Sequence, residues 1–215
     1  MTPDVRVYLV SAGAGPQLPE IAVAAAAGGA TMVQVRDKYA DAAVTGASVR
    51  AVAARLGRAG IQIPVLVNDD PAVAASAAGV HIGPDDLPPA QARALLGPES
   101  IIGWSIHSMD QLADTAALSA CDYVAASPVW ATPSKTDTTE PWGLAGVRAL
   151  RESLPSRLPL VAIGGIHEDN ARDIIDAGAD GIAVVSAISA AKNPEKAAHR
   201  LREVVDTALA HRSVA

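Results

Sequence analysis

Thr31-Met32-Val33-Gln34-Val35-Arg36, then a helical run from Asp41 to Ala59, then Pro64-Val65-Leu66-Val67-Asn68 make one complete strand–helix–strand unit. The flanking runs are short, apolar and rich in valine, whereas apolar positions in the middle recur at helical spacing. Strands joined in this way run parallel, because each parallel connection needs a crossover. Working outward, strand candidates run Val5 to Val10, Thr31 to Arg36, Pro64 to Asn68, Gly79 to Ile82, Ile101 to Ser105, Tyr123 to Ala126, Leu160 to Ile163, and Gly181 to Val185. Ala-rich helical stretches lie between them, and a last helix is expected from Pro194 to His211. Eight such units predict an α/β fold, a closed (β/α)8 TIM barrel forming a single domain over residues 1–215. An open doubly wound sheet would usually have fewer strands and a G-x-G-x-x-G after the first, which this chain lacks. No internal repeat is visible beyond the alternation itself.

Half of the residues are apolar and Phe is absent, so Ala, Val, Ile and Leu must fill the core. The formal charge of −6 argues against a nucleic-acid or acidic-membrane surface, which needs a clustered basic excess. Any anion must therefore be caught locally. The chain carries no apolar stretch long enough to span a bilayer and no signal-peptide pattern near Asp4 and Arg6, so a cytoplasmic protein is expected. Cys121 stands alone, which excludes an internal disulfide and a cysteine-based zinc cluster.

In a barrel of this kind chemistry gathers at the C-terminal ends of the strands. Gln34, Arg36 and Lys38 alternate with other residues as the second strand ends, and a period of two gives them one shared direction. After the third strand comes Asn68-Asp69-Asp70-Pro71, in which Asp70 before Pro71 reads as a helix N-cap and Asp69 has no obvious structural duty. After the fourth comes Gly83-Pro84-Asp85-Asp86, where one acid can serve the turn and the other face the mouth. Carboxylates from neighbouring strands beside a cationic strand end suit Mg²⁺ bridged to a phosphorylated substrate, since magnesium takes few protein ligands. A solvated acidic rim is the alternative.

The fifth strand offers Ser105 as a mouth hydroxyl, His107 as a packing or hydrogen-bonding histidine, and Ser108 with Gln111 as a capping box. From Ser127 to Trp142 a long βα loop carries Thr132-Pro133-Ser134-Lys135, hydroxyls beside a lysine, as in a lid that binds an anion. The seventh strand ends in Ile163-Gly164-Gly165-Ile166 and the eighth in Val184-Val185-Ser186, where close backbone approach and a helix start predict a phosphate site. Two anion sites of different character follow: backbone amides at one, cations and metal-holding carboxylates at the other. Displacement of diphosphate by a phosphorylated nucleophile would use both.

Gln34-Val35-Arg36-Asp37-Lys38, Asn68-Asp69-Asp70, Gly79-Val80-His81-Ile82-Gly83-Pro84-Asp85-Asp86, Thr132-Pro133-Ser134-Lys135 and Ile163-Gly164-Gly165-Ile166 together resemble thiamine-phosphate synthase, in order and over nearly the whole chain. The resemblance implies an enzyme that joins hydroxymethylpyrimidine diphosphate to hydroxyethylthiazole phosphate, or its carboxylated form, and releases thiamine phosphate and diphosphate. It implies that the pyrimidine diphosphate contacts Gln34, Val35, Arg36, Asp37, Lys38, Asn68, Ser105 and Lys135, with Arg36, Lys38, Ser105 and Lys135 as the catalytic set. Mg²⁺ falls to Asp69 and Asp86, and the thiazole phosphate to Thr132, Pro133, Ser134, Gly165, Val185 and Ser186. The implied reaction ionises the pyrimidine diphosphate toward a carbocation captured by the thiazole nitrogen, so no side-chain nucleophile is needed. The expected partners are small phosphorylated substrates, with neither nucleic acid nor membrane; a homo-oligomer is compatible with the sequence.

Some positions depart from the family pattern. Ser127 precedes Pro128 where glycine is usual, Ser134 stands for a common threonine, and Trp104 and Ile106 flank Ser105 where smaller or polar residues are frequent. Ser127 and Trp104 are expected to reshape the pocket. The rival readings are a thiazole tautomerase-like isomerase on the same fold, which needs no diphosphate or metal site, and a non-catalytic barrel that binds a phosphorylated ligand.

Overall fold

A computed structural model describes residues 2–131 and 140–212. The strands are β1 (Val7–Val10), β2 (Met32–Val35), β3 (Val65–Asn68), β4 (Gly79–Ile82), β5 (Ile101–Ile106), β6 (Tyr123–Ala126), β7 (Leu160–Ile163) and β8 (Gly181–Val184). They pair in parallel and in chain order, and β8 returns to β1, so the sheet closes into the expected barrel. β1 begins at Val7 rather than Val5. The Asp4 carboxylate draws the Arg6 N–H at 3.2 Å into a local turn, away from a ladder.

Period-two alternation sorts the strand residues into two cores. Tyr8, Met32, Leu66, Tyr123, Val161 and Ala183 fill the barrel interior. Their outward neighbours, including Leu9, Val33, Val67, Val124 and Ile182, pack beneath the surrounding helices. Strands covered on both faces in this way show the near-continuous apolar runs read in the sequence. Gly103 faces the interior from β5, where an added Cβ would overlap the phenol ring of Tyr123. The missing side chain there makes room for the large one opposite.

The helices α1 (Leu18–Ala27), α2 (Ala42–Arg58), α3 (Pro71–Ala74), α4 (Pro89–Leu96), α5 (Thr115–Ala120), α6 (Gly143–Ser153), α7 (Glu168–Asp176), α8 (Ser186–Ser189) and α9 (Pro194–Arg212) form the outer layer. In α2 the Asp41 side chain accepts from Val44 N at 2.8 Å as N-cap, and Arg55 and Arg58 sit in the last turn, where cations suit the helix dipole. The short α8 follows β8 directly, a place where many such barrels carry an extra helix.

The fold contains a repeat that is not visible in the sequence. Arg93 from α4 donates to Asp122 and to the carbonyls of Gly97, Ser100 and Ala120, while Asp122 accepts the Ile102 N–H at the start of β5. Arg151 from α6 does the same with Asp180, the carbonyls of Leu154, Pro155 and Leu158, and the Leu160 N–H at the start of β7. Arginine and aspartate are 29 residues apart in both cases, and aspartate and strand N–H 20. A lone Arg and Asp at such spacing carry no pattern until the fold joins them. Both clamps lie at the N-terminal face, where polar order supports stability rather than chemistry.

Candidate active site

The C-terminal mouth is assembled from the β2 end outward. Arg36 N donates to Ser11 Oγ at 2.8 Å, and Ser11 Oγ donates back to the Arg36 carbonyl at 3.1 Å. Ser11 is buried, so the chain just past β1 holds the backbone that carries Arg36. Gln34, Arg36 and Lys38 line one cavity of about 340 Å³, as their shared parity requires. Asn68, Asp69, Asp85, Asp86, Ser105 and His107 belong to the same polar wall.

Two residues of the expected contact segment turn elsewhere. The Val35 side chain is fully buried beneath the helices, because odd positions of β2 face outward. The Asp37 carboxylate accepts from Tyr39 N at 2.9 Å, Ala14 N at 2.9 Å and Ala40 N at 3.1 Å. These bonds, the Tyr39 and Ala14 N–H groups foremost, hold it below the usual carboxylate range. Asp37 therefore ties the loop that carries Lys38, and its side chain is not part of the wall of the main cavity.

After β3 the consecutive acids separate as expected. Asp70 caps α3, accepting from Ala72 N at 2.8 Å ahead of Pro71. Asp69 has φ of 64°, and among the described residues it is the one non-glycine with positive φ. Aspartate tolerates this left-handed conformation at some cost, and such strain clusters at functional sites. Partial desolvation, a hydrogen bond with Asp86 and the Asp86 charge push the Asp69 carboxyl up to about 7, against the pull of Arg36 and Lys38. Asp86 also accepts from Gly83 N at 2.6 Å, which fixes it at the β4 end. Of the adjacent pair it is thus Asp86, rather than Asp85, that meets Asp69. Two carboxylates in hydrogen-bond contact require either a shared proton or a cation between them.

Below the acids lies a polar chain that spacing in the sequence does not disclose. Gln34 Nε2 donates to the Tyr8 hydroxyl at 2.7 Å, which is 3.1 Å from the Tyr123 hydroxyl. Tyr123 in turn lies 2.8 Å from His81 Nδ1, and His81 Nε2 lies 2.9 Å from Ser105 Oγ. The His81 and Tyr123 rings stack with centroids 5.5 Å apart. Burial pushes both phenols well above their usual range, so they remain neutral. The one sequence signal was parity: His81 takes an inward position in the apolar run Gly79-Val80-His81-Ile82.

A second cavity, of about 310 Å³, opens beside the first and is walled by Gly164, Gly165, Val185 and Ser186. Gly164 has φ of 111° and Gly165 of 68°, and a Cβ on Gly165 would stand 3.0 Å from Trp130 Cβ. Glycine is needed there for conformation and for room. Val10, Arg36, Ser127, Ile163 and Ala183 line both cavities, so the two adjoin, with Arg36 in their shared wall.

A family model described as "Thiamine monophosphate synthase" matches residues 7–188. The chain belongs to the thiamine monophosphate synthase family. It is 46% identical over 207 residues to the thiamine-phosphate synthase of Albidiferax ferrireducens, covering 94% of this chain and 92% of that one. With the Vibrio parahaemolyticus thiamine-phosphate synthase it shares 42% identity over 94% of this chain and 98% of that one. Among solved structures, the thiamine phosphate pyrophosphorylase of Pyrococcus furiosus superposes with a TM-score of 0.81 at 32% identity, covering 97% and 98% of the two chains. The family makes this protein a transferase of thiamine biosynthesis.

Against the expectations for individual residues, Gln34, Arg36, Lys38, Asn68, Asp69, Asp86 and Ser105 converge on one cavity, and Gly165, Val185 and Ser186 on its neighbour. Thr132, Pro133, Ser134 and Lys135 lie outside the described residues. Trp104 lines neither cavity: it packs on the outer face of β5 beneath the helices, again by strand parity. Ser127 does line both cavities. His107 lines the first, and Gln111 Oε1 accepts from His107 N at 2.7 Å and Ser108 N at 3.2 Å, the reciprocal half of the capping box. Among the described residues no helix is long and apolar enough to cross a membrane.

Proposed function

We propose that the two adjoining cavities hold an aminopyrimidine diphosphate and a thiazole phosphate, and that the reaction transfers the pyrimidinylmethyl group to the thiazole nitrogen with release of diphosphate. One observation carries this reading: Arg36 stands in the shared wall between an acidic, cation-flanked cavity and a glycine-walled one. The first suits a diphosphate with a divalent metal. The second suits a phosphate monoester, because Gly164 and Gly165 allow close backbone approach and the first N–H groups of α8 have no intrahelical acceptor.

Asp69 and Asp86 fit Mg²⁺ as donors. Their mutual repulsion, relieved in the free protein by a proton, is relieved equally well by a cation. Among the described residues no cluster of three or more His, Cys, Asp or Glu side chains could hold a metal, so any ion here would depend on substrate oxygens and water for its remaining positions. Magnesium binds phosphorylated substrates in that manner and would supply charge to the departing diphosphate. Arg36 and Lys38 would add fixed positive charge on the same oxygens.

The carbon–oxygen bond to diphosphate would break first, with its electron pair leaving on oxygen. The thiazole nitrogen lone pair then forms the new carbon–nitrogen bond. No proton transfer is required, so the contact of His81 with the Ser105 hydroxyl in the cavity wall need not serve as a base and nucleophile. A tautomerase-like isomerase would leave the Asp69–Asp86 pair and its flanking cations without use. The test is purified protein with Mg²⁺ and both substrates, assayed for diphosphate and thiamine phosphate. Binding of thiazole phosphate without diphosphate release would overturn the synthase reading in favour of a binding or isomerising barrel.

A further inference from the structure

Tyr123 has no exposed surface, yet it joins groups that do line the cavity. Gln34 on β2, Tyr8 on β1, Tyr123 on β6, His81 on β4 and Ser105 on β5 make four successive contacts of 2.7, 3.1, 2.8 and 2.9 Å. Both ends face the same cavity, the two phenols between them are buried, and the half-buried His81 touches the cavity as well. Either of two facing hydroxyls can donate, and a neutral imidazole donates at one nitrogen while accepting at the other. Each link uses one proton, so the direction at one end sets the direction of all.

Either phenol can supply the proton across the 3.1 Å between Tyr8 and Tyr123, but with Gln34 Nε2 donating to Tyr8 a second donation from Tyr123 would leave the Tyr8 proton without an acceptor. The chain therefore requires Tyr8 to donate to Tyr123, Tyr123 to His81 Nδ1, and His81 Nε2–H to Ser105 Oγ. Gln34 Oε1 is then left as an acceptor for a ligand, and the Ser105 proton as a donor. An order reversed in the middle strands a buried hydroxyl, which costs more than a hydrogen bond is worth. We propose that Tyr123 is a positioning residue that couples Gln34 to Ser105 through a one-directional hydrogen-bond chain, holding His81 protonated on Nε2. The ligand edge it selects is a heteroaromatic ring with an amino donor beside a ring-nitrogen acceptor. That last step rests on reading this cavity as the aminopyrimidine site.

Tyr123→Phe removes the hydroxyl and keeps the ring that stacks on His81 and meets Tyr8 edge-on. Nitrogen NMR of ¹⁵N-histidine-labelled full-length protein, without substrate, is expected to show His81 protonated on Nε2 in the parent and as a tautomer mixture in the variant. Gln34→Glu offers Tyr8 only an acceptor and is expected to move the His81 proton to Nδ1, which keeps the test usable should Tyr123→Phe fold poorly. In kcat/KM, Gln34→Ala and Ser105→Ala are expected to be non-additive by roughly tenfold in the parent and to multiply independently in the Tyr123→Phe background. Parent His81 protonated on Nδ1, or a tautomer indifferent to both variants, would overturn the proposal, as would equal non-additivity in both backgrounds. The NMR result decides the coupling even if no diphosphate were released, an outcome that would refute only the synthase reading.

Discussion

Asp69→Asn is expected to make the metal-free protein more stable while disabling it. In the native protein the Asp69 carboxyl is raised from 3.8 to about 7 by partial desolvation and by Asp86. A raised carboxyl favours its protonated form in the fold, so its contribution is unpenalised below about pH 4 and is lost progressively as pH climbs to about 7. Three pKa units at 1.36 kcal/mol each set a ceiling of about 4 kcal/mol. Asp69 is exposed at the mouth, so solvent screens the repulsion and roughly 1–2 kcal/mol is the expected remainder. Asparagine accepts the left-handed backbone as readily as aspartate, so the φ of 64° adds no new penalty.

For a chain of this length the gain corresponds to roughly 2–8 °C in Tm. Thermal melts in EDTA at pH 5 and pH 8 would test it, with the variant's advantage at pH 5 about a third of that at pH 8, since only about one of three pH units has then been crossed. Millimolar Mg²⁺ should raise the Tm of the parent and leave the variant unmoved. Diphosphate release should fall by roughly 10²–10³, the scale for losing one preorganised electrostatic group. A variant destabilised equally at both pH values, or one with undiminished Mg²⁺-dependent turnover, would refute the account of Asp69 as a strained metal ligand.

Gly165→Ala must adopt φ near 68° with its Cβ against Trp130, so a stability loss of roughly 1–3 kcal/mol and weaker thiazole phosphate binding are expected, checked by melting and calorimetric titration. Asp37→Ala frees the N–H groups of Ala14, Tyr39 and Ala40 and should raise KM for the diphosphate substrate more than it lowers Tm. Because the Asp37 carboxyl is depressed, the order it gives the native loop is complete above about pH 4 and is lost as pH falls through its lowered value, which limited proteolysis across pH would register. Arg151→Ala leaves Asp180 and three carbonyls short of a partner and should cost about 2–4 kcal/mol in denaturant titration, while kcat stays within about twofold.

Parity alone makes much of the mouth legible in the sequence. A residue's odd or even place in a strand fixes its face, so spacing assigns Gln34, Arg36, Ser105 and Asn68 to the cavity. The same rule removes Val35 and Trp104, which sit one place out of phase and point to the helices. What parity cannot give is the partner across the barrel. Tyr8 and Tyr123 lie 115 residues apart, and nothing local marks either as one link of a chain. Nor does spacing divide Asp85 from Asp86; that takes the turn in which Gly83 N–H binds Asp86. The role of Asp37 is hidden because three backbone donors, invisible in a string of letters, converge on it.

The two ends of the barrel treat polar groups in opposite ways, and the difference follows from what each end must do. At the N-terminal end each arginine clamp pairs a charge with an opposite charge and several carbonyls, so every group is satisfied and the arrangement only stabilises. At the C-terminal end like charges are brought together on a strained backbone, glycines hold positive φ, and a buried row of neutral hydroxyls and an imidazole replaces apolar packing. None of these is a choice that packing alone would favour. On the proposed reading each would become favourable once something else is present: a cation for Asp69 and Asp86, an anion at the glycine wall, a ring with donor and acceptor for Gln34 and Ser105. A net charge of −6 sharpens the point, because Arg36 and Lys38 can attract anions only if they are set where the acids beside them are themselves neutralised, and a metal arriving with the diphosphate would do that in the same step.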